Sequence, residues 1–228
     1  MKKSIFIFTS IAFMCCSAGF FITGCSSLHK INSTRNTSDY SVAVSTEVGV
    51  NEGNNEKGKF KSFCVYTDEK SQQNHYYPSG WMGDTQDIKF TGAYQDNPKL
   101  GKTCLRITYL GTGPKEWAGI YWQNPANNWG TSKGGYDLRG ARYLTFWARG
   151  EEGREKISEI KMGGITGKNP DSDIAWIGPL KLKKDWTQYR ISLKKKDLRY
   201  ISGGFCFTAL KADNPHGCTF YLDEIRYE

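Results

Sequence analysis

Histidine is scarce: the 228 residues hold three, His29, His75 and His216. None has an evident nucleophile partner in sequence. No Gly-x-Ser-x-Gly, Cys/His pair or phosphate-cradling loop occurs, so the common arrangements for acyl transfer and nucleotide chemistry are missing. No cysteine pair has the spacing of a metal knuckle or a redox CxxC. After the first two dozen residues, no run is apolar for the ~20 residues that a membrane-spanning helix needs. Nor is there a convincing 3.6-residue period or an internal repeat, which argues against helical bundles and solenoids. Glycoside hydrolysis would need two positioned carboxylates. The acids here mostly sit in turns and mixed clusters such as Glu151-Glu152. The expectation is a protein that performs no catalysis.

The N-terminus is the most specific feature present. Met1-Lys2-Lys3 is a short positive start, and Ile5 to Ile22 is almost uncharged and mostly apolar. The run ends at Ile22-Thr23-Gly24-Cys25-Ser26. Small residues before a cysteine suit a signal peptidase, and the segment closely resembles a bacterial lipobox. That resemblance implies a signal peptide over 1–24, lipid modification of Cys25, and anchoring at the cell envelope. Ser26 favours the outer membrane if the cell is Gram-negative. Residues 25–58 are rich in Ser, Thr, Asn, Gly and Glu, and Tyr40 is their one aromatic. Such a segment buries too little apolar surface to offset its ordering entropy. It reads as a flexible tether with a root-mean-square span of ~30 Å.

Residues 59–228 have a different texture. Aromatics make up 14% of the chain, with 7 Trp, 13 Tyr and 25 Gly, a profile of short strands and many turns. Lys2 and Lys3 fall in the leader, leaving 29 basic against 23 acidic residues, a net charge of +6. At an envelope this points to anionic polymers, not to nucleic acid. Apolar-aromatic runs at 60–67, 102–110, 117–122, 142–149, 157–162, 174–182, 188–193, 205–210 and 219–227 predict about nine strands, with a possible helical turn at 194–197. Clusters such as Gly111-Thr112-Gly113-Pro114 and Asn214-Pro215-His216-Gly217 separate them. An all-β sandwich or jelly roll follows. Cys64, Cys104, Cys206 and Cys218 permit two disulfides, but three of them lie inside strand-like runs, where a free thiol packs as a small hydrophobe.

Alternation separates core from outward residues. Leu144, Phe146 and Ala148 share one face of their strand; Tyr143, Thr145, Trp147 and Arg149 share the other. Trp117 and Tyr121 lie opposite Ile120 and Trp122. Trp129 and Trp81 read as loop residues. Flat aromatic rings offer platforms for the C–H faces of pyranoses, with polar groups at the rim. Trp117, Tyr121, Trp129, Trp147 and Arg149 are therefore the candidate ligand-binding set, brought to one side by a jelly roll. Calcium favours hard oxygens. Asp68 ends the first strand, Asp84 and Asp87 lie in an acidic loop, and Asp223 sits within the last aromatic strand, where an ionised carboxylate must be paired or coordinated. Asp68, Asp87 and Asp223 are the candidate metal residues, and a salt bridge or solvent exposure for Asp223 is an equally open alternative.

Three segments carry a further resemblance. Thr219-Phe220-Tyr221-Leu222-Asp223-Glu224-Ile225 is similar to the C-terminal strand of galactose-binding-like jelly-roll modules. Leu138 to Ala148 resembles their central strand, and Trp186 to Leu193 matches their Trp-x-x-Tyr-x-Ile-x-Leu strand. The resemblance covers roughly residues 60–228. It implies a carbohydrate-binding-module-like sandwich, a structural calcium near Asp223, and Trp147 and Arg149 on a central strand. The reading is a non-catalytic, membrane-anchored carbohydrate-binding lipoprotein that binds a polysaccharide or glycan. The alternative is an envelope structural or assembly lipoprotein with a protein partner, and a polysaccharide-active enzyme ranks third.

Overall fold

The computed structural model describes residues 60–228. The expected leader, Cys25 and tether lie outside the described residues. Thirteen strands form the domain: β1 Phe63–Tyr66, β2 Tyr77–Gly83, β3 Ile88–Tyr94, β4 Cys104–Tyr109, β5 Trp117–Gln123, β6 Tyr143–Gly150 and β7 Lys156–Ile157. They continue as β8 Glu159–Gly163, β9 Ile174–Ile177, β10 Leu180–Lys181, β11 Thr187–Ser192, β12 Gly203–Leu210 and β13 Cys218–Tyr227. Among the described residues the one helical element is a 3-10 turn, Thr85–Asp87.

The strands build two antiparallel sheets and a two-stranded clip. The six-stranded sheet runs β11-β6-β13-β4-β3, with β1 also paired to β13. The five-stranded sheet runs β2-β5-β12-β8-β9, and β7 pairs with β10. Aromatic contacts mark where the sheets meet. Phe146 of β6 lies edge-on to Phe205 of β12 at 5.7 Å, and Phe207 of β12 edge-on to Phe220 of β13 at 5.3 Å. Trp122 of β5 reaches Phe205 at 5.4 Å and Phe90 of β3 at 5.9 Å. Edge-to-face pairs add attraction beyond the area they bury. The alternation in β6 is as expected: Leu144, Phe146 and Ala148 are fully buried. Two buried tyrosines spend their hydroxyls on carbonyls across the core, Tyr227 on Gly204 (2.6 Å) and Tyr76 on Ile201 (2.9 Å).

Several sequence expectations need correction. Residues 77–94 hold two strands absent from the expected set, so Trp81 lies on β2 and not in a loop. Its ring closes one side of the sandwich edge-on to Phe90. The run at 157–162 divides between β7 and β8, and the run at 174–182 between β9 and β10. Residues 193–196 form a turn in place of a helical one at 194–197, Lys196 N donating to Leu193 O. All four described cysteines are free.

A β-bulge in β13 positions Asp223. Up to Leu222 this strand pairs with β4, and from Ile225 it pairs with β1, so its neighbour changes at Asp223-Glu224. Glu224 absorbs the extra residue with φ of 51°. A bulge re-aims the side chains beside it, and here the Asp223 carboxylate turns onto the 97–103 loop.

Candidate functional site

A sandwich has two outward faces, and the candidate ligand residues divide between them. Trp117, Tyr121 and Trp129 belong to the outer side of the five-stranded sheet. Trp147 and Arg149 belong to the outer side of the six-stranded sheet. β5 and β6 lie in different sheets and turn Ile120, Trp122 and Phe146 toward the shared core. The residues expected to form a single platform therefore lie on two separate faces. Alternation gives the face of a strand but not which sheet the strand joins.

On the five-stranded sheet, one row of paired positions crosses four strands. Tyr121 of β5 pairs with Cys206 of β12, Cys206 with Lys161 of β8, and Lys161 with Trp176 of β9. At ~4.8 Å per strand, Tyr121 and Trp176 stand ~14 Å apart. Trp176 is 59% exposed and Trp129 42% exposed. Trp129 stands edge-on to Tyr121 at 5.8 Å, and Lys161 Nζ sits 5.4 Å from the Tyr121 ring centre. Lys161 is also paired with Glu159 at 2.8 Å. Ile165, Met82, Tyr121 and Cys206 make a small apolar bed beneath the row. Trp117 shares this face but lies half-buried at the far end of β5, opposite Leu210.

The loop carrying Trp129 is held at several points. Asn128 Oδ1 accepts from Gly130 N and Ser132 N, and Gln123 Nε2 donates to Asn128 O at 3.0 Å. Gly130 adopts φ of +79°, and a Cβ there would lie 1.9 Å from Thr166 O, so no other residue fits. Asn169 N donates to Gly130 O at 2.9 Å. Asp171 then ties that second loop to β12 through Ile165 N, Ser202 N and the Ser202 hydroxyl. A ring fixed before binding loses little freedom on binding. Sequence reasoning missed Trp176 and Lys161 on this face. Their signal is present, since Ala175-Trp176-Ile177 alternates, but the 174–182 run reads as one long strand, whereas the chain breaks it after Ile177.

On the six-stranded sheet, cations cover the aromatic rings. Arg149 is 9% exposed and lies over Tyr221 at 3.7 Å, with Trp186 at 5.4 Å. Lys99 Nζ sits 3.9 Å from the Trp147 ring centre. Trp147 therefore presents a capped face, and Arg149 is buried where an exposed ligand residue was expected. Truncating Arg149 would strip packing from Tyr221 and Trp186 as well as remove a charge.

The acids expected at a metal centre all accept backbone N–H groups. Asp223, fully buried, accepts from Lys99 N (2.8 Å) and Leu100 N (3.2 Å) on one oxygen and from Glu224 N (2.8 Å) on the other. Asp68 accepts Lys102 N and Thr103 N, both at 2.8 Å, and the Thr103 hydroxyl. These two acids do converge on one loop. Asp87 serves a separate loop, accepting Thr112 N and Gly113 N at 2.8 Å, and Asp84 accepts Lys115 N. Among the described residues no three His, Cys, Asp or Glu side chains gather to hold a metal. N–H groups cannot ligate a cation, so a calcium ion here would have to share carboxylate oxygens that already accept amides. Burial lifts the Asp223 carboxyl to about 7 against the pull of those amides, with the Asp68 charge adding to the rise. Asp68 and Asp87 are held below the ordinary range by their N–H and hydroxyl donors, which outweigh burial.

Calcium is decided by melting. Amide-filled carboxylates give the same melting temperature with and without chelator. A bound ion at a hundredfold excess over its dissociation constant would add ~2.7 kcal/mol, lost on chelation and absent in Asp223→Ala.

A cleft of about 590 Å³ lies away from both faces, lined by residues including Tyr66, His75, Tyr76, Phe90, Leu105 and Trp122. None of the candidate ligand residues lines it. His75 is stacked on Phe63 at 4.0 Å, and burial lowers its pKa.

No protein-family model and no curated protein matches this chain. Solved structures do match it. One is a family 30 carbohydrate-binding module, at TM-score 0.50 and 15% identity over 74% of this chain and 88% of that one. Another is the family 30 module of the cellulosomal cellulase Cel9D-Cel44B of Clostridium thermocellum, at TM-score 0.51 and 14% identity over 74% of this chain and 97% of that one. Residues 60–228 thus have the jelly-roll sandwich fold of carbohydrate-binding modules, as the three sequence segments implied.

Proposed function

We propose that this chain is a non-catalytic carbohydrate-binding lipoprotein of a bacterial envelope, and that it holds glycan on the outer face of its five-stranded sheet. The observation that carries the reading is the row Tyr121–Lys161–Trp176 flanked by exposed Trp129. Two large rings face solvent from a braced surface, with a cation and a carboxylate between them. Stacking on rings with hydroxyl contacts at the rim is how pyranoses are gripped. The modules of like fold are named for carbohydrate binding, which supports the same role here. The row is longer than one sugar ring, so an oligosaccharide chain is the natural ligand. A panel of soluble polysaccharides tested against the full chain by affinity electrophoresis should show retardation by at least one neutral glycan. No retardation across a broad panel would turn the reading to the protein-partner alternative.

The anchor is proposed from sequence. Ile22-Thr23-Gly24-Cys25 places a lipid on Cys25 and the domain beyond a tether. Cys25→Ser should accumulate as an unprocessed precursor that incorporates no labelled palmitate. A mutant still cut and lipidated at the same place would remove the anchor from this account.

A further inference from the structure

The outer face of the six-stranded sheet carries a feature that neutral-glycan binding does not use. Tyr221 of β13 pairs with Arg149 of β6 on one side and with Arg106 of β4 on the other. The two arginines therefore stand in one row across three strands, with Thr91 of β3 next to Arg106. The Nε atoms of both arginines are buried and have no hydrogen-bond partner among the described residues. A buried, unpaired donor of a charged group is costly, and two in one row compound the cost.

The acids on this face are committed elsewhere. Glu151 accepts the Tyr221 hydroxyl, and Asp223 accepts its three backbone amides. The ion pairs among the described residues include neither arginine. Beside the row a cleft of about 360 Å³ is lined by Lys89, Thr91, Arg106, Thr108 and Thr219. Thr108 and Thr219 hydrogen-bond to each other at 2.9 Å across β4 and β13. The surface offers cations and hydroxyls, while its aromatic rings are already covered: Arg149 over Tyr221, Arg106 at 5.3 Å from Tyr94, Lys99 over Trp147.

We infer that the face built by Arg106 and Lys89 with Thr91, Thr108 and Thr219 binds the carboxylate or sulfate groups of an acidic polysaccharide. Guanidinium forks match a pair of oxyanion oxygens on a carboxylate or sulfate, and neighbouring hydroxyls and an ammonium complete the donor set. The polymer class rests on the glycan reading above; the demand for negative charge rests on this face alone.

Titration calorimetry on the full chain tests it, using polygalacturonate for carboxylates, dextran sulfate for sulfates, and fully methyl-esterified polygalacturonate as the uncharged control. With the neutral site removed by Trp176→Ala, at least one charged polymer should bind, the esterified polymer should not, and raising the salt should weaken binding. Arg106→Gln and exposed Lys89→Gln should each weaken binding about tenfold, as loss of a charge-assisted hydrogen bond does. Lys133→Gln and Lys168→Gln, exposed positions on other loops, should change it less than twofold. If Arg106→Gln fails to fold, Lys89→Gln still decides. Equal binding of the esterified polymer, no binding of either charged one, or equal losses in the control variants would overturn the inference. Trp176→Ala separates the two sites: it should remove neutral glycan binding and spare the charged polymer.

Discussion

Trp129→Ala and Trp176→Ala should each cost the protein most of its neutral glycan binding while leaving the fold standing. Rings at the centre of a binding surface contribute about 2 kcal/mol or more, a loss of about thirtyfold. The stability cost should be small, because both rings face solvent, at 42% and 59% exposure. Trp129 gives up one edge-on contact with Tyr121, worth about 0.5–1.5 kcal/mol. Trp122→Ala should do the reverse. That ring is 1% exposed and wedged among Phe90, Phe205 and Phe207, and its removal should cost about 3–5 kcal/mol. Urea unfolding beside glycan titration reads both quantities on one preparation. Should Trp129→Ala melt like Trp122→Ala, or bind like the unmutated protein, the ring is packing and the platform is misplaced.

The contrast also shows where sequence reasoning holds and where it stops. A period of two along β5 and β6 sorted Trp122 and Phe146 inward and Tyr121 and Trp147 outward, because pleating dictates it. Assigning those outward residues to one surface required knowing that β5 and β6 belong to different sheets. That pairing is set by contacts distant in sequence, such as Phe146 with Phe205, which no local pattern carries. β2 escaped notice because Tyr77-Pro78-Ser79-Gly80 reads as a turn. As an edge strand with a bulge between Pro78 and Gly80, it tolerates residues that a central strand would reject. Arg149 looked like an exposed ligand group because arginine is rarely buried. Its burial depends on Tyr221 and Trp186, which lie far from it in sequence. The acids tell the same story. Asp68 and Asp223 do converge, but what fills the space between them is backbone N–H, a donor present at almost every residue and so invisible in a sequence.

Asp223 should make the domain less stable as pH rises through the weakly acidic range. Its carboxyl is raised from an ordinary 3.8 to about 7 by burial. Between about pH 4 and about pH 7 the unfolded chain has released this proton and the folded chain retains it. Stability then falls with pH, being fully present below the unfolded pKa and lost by the time pH passes the folded one. The change is on the order of 4 kcal/mol at most. The acids held low, Asp68, Asp87, Asp137, Glu155, Asp173 and Asp197, act with the opposite sign, but below the ordinary carboxylate range. His75 also opposes Asp223 and does so within the same window, since burial lowers its pKa and stability gains as the unfolded histidine loses its proton. Comparison with Asp223→Asn therefore isolates the effect. Measured by urea unfolding in chelator from pH 4 to pH 7, the difference in stability between the unmutated protein and Asp223→Asn should change steadily against the unmutated protein as pH rises. The amide keeps one acceptor for the 97–103 loop and cannot ionise. A constant difference across the window would mean that the three amides on Asp223 hold it ionised throughout, and that the loop is braced by a permanent charge.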